Sequence, residues 1–209
     1  MSTAVPAPPA PAGPAPGDAP PSRRPRKVFL VVGVIVAVAL GIGLFTSVGS
    51  GSKGSGQPSP GDPVPSFSAQ NIGPSGPHTV SVTASGGRPT VLLFFGDWCT
   101  ACHTELPPLA AAVARQASGK SALGGIRVVG VDGLDAPSNA QAFVKSAGVT
   151  FPVAYDPDGS ITAGKFAFTG DPYTVFVKAD GTVAKVVAGD QLTPASFTAA
   201  ERALIPSGR

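Results

Sequence analysis

From Val28 to Val48 the chain reads VFLVVGVIVAVALGIGLFTSV, without a charge or a proline. At about 1.5 Å of rise per residue, a helix of this length covers the roughly 30 Å hydrocarbon core of a bilayer. The run is therefore expected to form one transmembrane helix, and it divides the rest of the chain. Arg23, Arg24, Arg26 and Lys27 crowd the positions just before it, whereas Lys53 stands alone after it. The positive-inside rule then sets the N-terminus in the cytoplasm and the longer C-terminal part outside it, a single-pass cell-membrane arrangement. A cleaved signal peptide is the alternative, but its apolar core usually runs about 7–15 residues and lacks so long a polar region ahead of it. A lipoprotein is excluded, because the only cysteines are Cys99 and Cys102, far from any cleavage site.

Composition supports the same division. The chain holds 27 Gly and 24 Pro with only 13 % charged residues, yet 43 % are hydrophobic, so unlike segments are being averaged. Residues 1–27 are Pro/Ala-rich and carry almost nothing apolar larger than alanine; they are expected to be a disordered, polyproline-biased cytoplasmic tail. Residues 49–61, GSGSKGSGQPSPG, read as a Gly/Ser/Pro linker. Its Gly49-x-Gly51-x-x-Gly54 matches the dinucleotide fingerprint by spacing alone; that fingerprint needs a strand before it and a helix after it, and neither is here. The formal net charge of +3 belongs to the basic cluster before the apolar run, and from Asp62 onward acids and bases nearly balance. No basic face remains for nucleic acid, so no nucleic-acid partner is expected.

Residues 62–206 are left for one domain of ordinary size. Thr90–Phe95 (TVLLFF) and Ile126–Asp132 (IRVVGVD) are short apolar runs that suit strands buried on both faces. Between them, Cys99–Ala117 has an Ala/Leu-rich helical pattern, broken early by Pro107-Pro108. Pro137–Ala147 reads as a helix, Phe151–Tyr155 as a brief strand, Asp156–Gly159 as a turn and Ser160–Phe168 as a short helical stretch. Tyr173–Val177 and Thr182–Ala188 form a hairpin across Lys178–Gly181, and Thr193 caps a last helix with Pro194 in its first position. The order predicts an α/β domain with a mixed sheet covered on both faces.

Cys99 and Cys102, spaced C-x-x-C, follow a buried strand and open a helix. That places both sulfurs on the first turn, where unpaired amides and the helix dipole favour a thiolate. The first cysteine is expected to be the nucleophile and the second to resolve the mixed disulfide, with Trp98 as a lid. A structural staple across so short a loop would stabilise weakly. His103 completes the Cys-x-x-Cys-His pattern of c-type haem attachment, but Met1 is the only methionine and His78 the only other histidine, and so many strands suit a cytochrome poorly. Two cysteines with two scattered histidines do not supply a structural zinc set. No bound cofactor or metal is expected beyond a redox-active disulfide. A Cu(I) carrier using the same two thiolates remains an alternative from a different class.

The segments LLFFGDWCTACHTELP at 92–107, VVGVD at 128–132, GVTFPVAYDPDG at 148–159 and GDPYTVFVKADG at 170–181 together resemble the thioredoxin fold. More narrowly, they resemble the membrane-tethered TlpA/ResA/DsbE-type thiol–disulfide oxidoreductases. The resemblance implies a thioredoxin-like mixed sheet flanked by helices, with a TlpA-type extra helix and strand between Asp132 and Pro172. It also implies that Pro172 is the cis-proline facing the disulfide, that the active-site helix kinks at Pro107, and that Glu105 fits a C-x-x-E-x-P pattern and is the nearest proton-exchanging candidate. The thioredoxin position for a buried acid, six residues before the first cysteine, is Leu93 here. Asp171 stands where a small or apolar residue is usual; it either faces the disulfide and raises the thiol pKa values or points to solvent. The threonine that a peroxiredoxin would carry three residues before its cysteine is Gly96. The implied partners are protein thiols and disulfides together with a membrane electron donor or acceptor. The implied chemistry is reduction, with apocytochrome c cysteines as substrate, or oxidation of secreted proteins.

Overall fold

The computed structural model describes residues 56–118, 125–189 and 192–205, all within the second of two compact units, 53–209. The tail at 1–27, the span expected at 28–48 and the first part of the linker lie outside the described residues. Among the described residues, no helix is long and apolar enough to cross a membrane.

The elements run β1 (Phe67–Gln70), β2 (Thr79–Val82), β3 (Thr90–Phe95), α1 (Thr100–Ser118), β4 (Arg127–Gly133), α2 (Pro137–Ser146), β5 (Val153–Asp156), β6 (Tyr173–Val177), β7 (Val183–Ala188) and α3 (Pro194–Arg202). A five-stranded sheet has the order β5-β4-β3-β6-β7. β3, β4 and β5 are parallel, and β6 and β7 are antiparallel to their neighbours. β3 is central because all six of its residues are buried, so it can only be covered on both faces and paired on both edges.

Alternation along β3 feeds two separate cores. Val91, Leu93 and Phe95 point toward the helices, joining Cys102, Leu106 and Leu109 of α1, Phe143 of α2 and Phe197 of α3. Leu92 and Phe94 point the other way, against Val80, Val82, Phe166 and Phe168. The second face is therefore covered by the β1–β2 hairpin and the 160–168 segment, so the sheet is covered on both faces as expected, with the helices on one of them. The hairpin itself escapes the sequence reading because each strand is only four residues long and half exposed.

Two further differences have local causes. α1 runs unbroken from Thr100 to Ser118 through Pro107 and Pro108. The prolines cannot donate to the carbonyls of His103 and Thr104, yet Leu106, Leu109, Ala110 and Val113 are buried and hold both halves to the core. The stretch Ser160–Phe168 is a series of turns instead of a helix. Gly164 and Phe166 donate five residues back, to Gly159 and Ile161, while Ala167 adopts a left-handed φ of 53°. The buried Asp156 carboxylate gathers this segment by accepting from the amides of Ile161 and Thr162, at 3.0 and 2.8 Å. At α3, Thr193 forms the expected cap, reciprocated by Ser196, with Pro194 following.

The end of the linker is fastened to the domain. Gln57 Nε2 donates to Tyr173 Oη at 3.1 Å, and the amide of Gly61 donates to Val183 O at 2.8 Å. Tyr173 in turn stacks on Phe168 with ring centroids 3.8 Å apart.

Phe94 packs on Phe166 at 4.7 Å and on Phe168 at 5.0 Å between ring centroids, and it is almost wholly buried. Phe94→Ala should lower the unfolding free energy by about 3–5 kcal/mol through lost transfer energy and a residual cavity. Denaturant unfolding followed by tryptophan fluorescence measures this, and a loss below about 1 kcal/mol would contradict this account of the second core.

Candidate active site

β3 ends at Phe95, and the chain turns through Gly96, Asp97 and Trp98 into α1. Cys99 caps the helix start and is bonded to Cys102, with S–S 2.12 Å and Cα–Cα 5.2 Å. Both cysteines are buried, Cys99 at 5 % exposure and Cys102 at 1 %. The amide of Cys102 donates to Cys99 Sγ at 3.1 Å. That first-turn amide also donates to Cys99 O at 3.0 Å, so it is shared between the carbonyl and the sulfur that would carry charge after reduction.

On the other side of the disulfide, Asp171–Pro172 is a cis peptide at the start of β6. A cavity of about 10 Å³ is walled by Cys102, Glu105, Pro172, Tyr173 and the end of β3. That is the size of one water. Glu105 is 8 % exposed, on the face of α1 that holds Cys102. The structure thus brings Cys99, Cys102, Glu105 and Pro172 together. Trp98 is 48 % exposed beside them, and its indole Nε1 donates to Gly133 O at 2.8 Å. The ring is consequently tied to the end of β4. His103 lies exposed beside the site; its Nε2 is 2.7 Å from Asp97 O and its ring packs on Phe143 at 4.4 Å. Among the described residues, no group of three or more His, Cys, Asp or Glu could hold a metal ion.

Sequence reasoning gave no role to Asp132 and Asp135. Asp132 closes β4 in register with Phe95 and is fully buried. Parallel partners share a face, so Asp132 lies on the side of the sheet that α1 covers. Burial, then the neighbouring Asp135, pushes its carboxyl up to about 8. Asp135 Oδ2 accepts from the amide of Asp97 at 2.5 Å. Burial also raises Asp135, an effect opposed by the bond from Asp97. The signal was present as an acid closing an otherwise apolar strand.

Asp171 does not turn to solvent. Its Oδ1 is buried without a hydrogen-bond partner, and burial, then Asp135 and Asp156, raises its carboxyl to about 7. Folding therefore favours the protonated acid over the ordinary value of 3.8. The stability this group contributes is full below that ordinary value and is lost as pH rises through about 7. Asp171→Asn should match the parent in thermal midpoint near pH 4 (about the unfolded value) and exceed it at about pH 8. Calorimetry at the two pH values checks this; equal midpoints at both would contradict the assignment.

The AhpC/TSA family model matches residues 60–186. Thiol-disulfide oxidoreductase ResA of Bacillus subtilis (strain 168) is 26 % identical over 169 residues, 80 % of this chain and 88 % of the relative. The thiol:disulfide interchange protein DsbE of Xylella fastidiosa (strain 9a5c) is 31 % identical over 169 residues, 78 % of this chain and 79 % of the relative. The solved structure of MTB dsbF, in mixed oxidized and reduced forms, is 30 % identical with a TM-score of 0.55, covering 66 % of this chain and 95 % of that one. The fold is thioredoxin-like, and the chain belongs to the AhpC/TSA family as a thiol–disulfide oxidoreductase of the ResA and DsbE type.

Proposed function

We propose that this AhpC/TSA-family oxidoreductase works outside the cytoplasm, anchored through residues 28–48, and reduces disulfides in protein substrates. Apocytochrome c cysteine pairs are the substrate to test first. The observation that carries the exchange chemistry is the disulfide at the tip of α1, with the Cys102 amide on Cys99 Sγ and the cis-proline Pro172 beside it.

In the reducing direction, Cys99 thiolate attacks one sulfur of a substrate disulfide and the other substrate sulfur leaves as a thiolate, which takes a proton from water. Cys102 loses its proton and attacks Cys99 Sγ, re-forming the internal disulfide and releasing the second substrate sulfur. A dithiol donor on the same side of the membrane then returns the two electrons and two protons. Glu105 is the group we assign to exchange the Cys102 proton, because it shares the water-sized cavity with that cysteine. Trp98 covers the flank of the pair, and Pro172 presents extended backbone to the visiting segment.

The charge distribution supports the reducing direction. Ionising Cys99 adds a negative charge at the end of the sheet where Asp132, Asp135 and Asp171 cluster, each of them raised first by burial and in part by neighbouring acids. Such surroundings disfavour the thiolate and hence the oxidising role that a very stable thiolate gives.

Cys99→Ser should abolish turnover of a disulfide substrate, and Cys102→Ser should trap a mixed disulfide through Cys99. Both are read by electrophoresis after alkylation; turnover retained in Cys99→Ser would defeat the mechanism. The reduction potential of the pair should fall nearer about −270 mV than about −120 mV, and a value at the oxidising end would reverse the direction.

A further inference from the structure

The acids behind the active-site loop are arranged as a chain that ends on the backbone carrying Cys99. Asp132 is fully buried at the end of β4, and neither of its carboxylate oxygens receives an N–H or an O–H. The acid that acts on it most strongly is the Asp135 carboxyl, three residues on, within hydrogen-bonding reach. Two carboxylates are both acceptors and cannot bond to each other unless a proton lies between them. Leaving both ionised side by side, with Asp132 fully buried and unpaired, is strongly unfavourable. Asp135, in turn, accepts through Oδ2 from the amide of Asp97, and the neighbouring amide of Trp98 adds a weaker pull that favours its ionised form. Those two residues immediately precede Cys99.

We propose that Asp132 and Asp135 share one proton, and that this proton holds Asp135 on the Asp97 and Trp98 amides, making Asp132 a positioning residue for Cys99. The proposal rests on thiol–disulfide exchange at Cys99 and adds to it a control from behind the loop. With the proton in place the pair carries a single negative charge, and Asp135 keeps its two amides. When the proton leaves, two like charges sit side by side in a buried site. Repulsion then draws Asp135 off the loop while the added charge disfavours the Cys99 thiolate.

The groups around the pair do not supply a substitute. Asp97 approaches from the loop before α1, Asp171 from the segment before β6 and Tyr155 from β5. Tyr155 Oη is engaged with the carbonyl of Asp135 at 2.9 Å. His103 Nε2 lies 3.6 Å from Asp97 Oδ1 and bonds to the Asp97 carbonyl, so it serves the outer edge of the loop. Each of the other acids near the pair would repel a second negative charge on it. The shared proton should persist to about pH 8, where burial places the Asp132 carboxyl.

The test uses the reduced full chain, with thiolate absorbance titrated from about pH 5 to about 10 and the rate of reaction with an aromatic disulfide probe followed over the same range. In the parent, the titration should show two coupled steps. Asp132→Asn keeps a donor to Asp135 but does not titrate. It should give one step, and at about pH 9 it should react about threefold or more faster than the parent. Asp132→Ala removes the donor and should be slower than Asp132→Asn at every pH, so that the amide rescues what the alanine loses. Superimposable parent and Asp132→Asn curves would overturn the proposal, as would equal rates for Ala and Asn. Infrared difference spectra provide a readout independent of activity. A buried carboxylic acid band present at about pH 6, lost by about pH 10 and altered in Asp132→Asn is expected, and its absence overturns the shared proton. If the band is found but Cys99 exchanges with no disulfide, the functional reading fails while the proton pair stands. If exchange occurs without the band, only the present inference fails.

Discussion

The parallel pairing of β3 with β4 is the constraint from which the site follows. Both strands end at the same edge of the sheet, Phe95 opposite Asp132, so the turn that leads into α1 and the turn that leads into α2 emerge side by side. Trp98 reaches across to Gly133 and Asp135 reaches back to Asp97. Burial of all of β3 makes this register hard to slip, since a shift of one residue would exchange the two cores that its alternate side chains fill. The disulfide is held by the sheet through these two turns as much as by its own helix.

Much of this was legible before any coordinates. TVLLFF could only be a buried strand, C-x-x-C after it could only begin a helix usefully, and Thr193-Pro194 announced α3. These signals are local: apolar runs, capping residues and turn residues act within a few positions. The cis peptide before Pro172 came from the family resemblance and is present in the structure.

What was not legible depends on partners distant in sequence. Pro107 and Pro108 argue for a break on propensity alone, and burial of the residues on either side overrides them. Ser160–Phe168 has helical composition, but the Asp156 carboxylate binds its amides and winds it differently. β1 and β2 are too short to announce themselves, and they exist because the second face of the sheet needs a cover. Asp132 looked like the polar end of a strand; only the register with Phe95 puts it under the active-site helix, in the acid cluster that sequence spacing could not assemble.

The two prolines of α1 have a mechanical corollary. Without their amides, the carbonyls of His103 and Thr104 lose the rungs that would join the opening of the helix to its body. Breaking the Cys99–Cys102 bond obliges the sulfurs to separate toward van der Waals distance. The displacement falls on a single turn loosely hitched to a rod that Leu109, Ala110 and Val113 keep seated in the core. The switch between redox states can therefore stay local, and the scaffold need not be rebuilt each cycle.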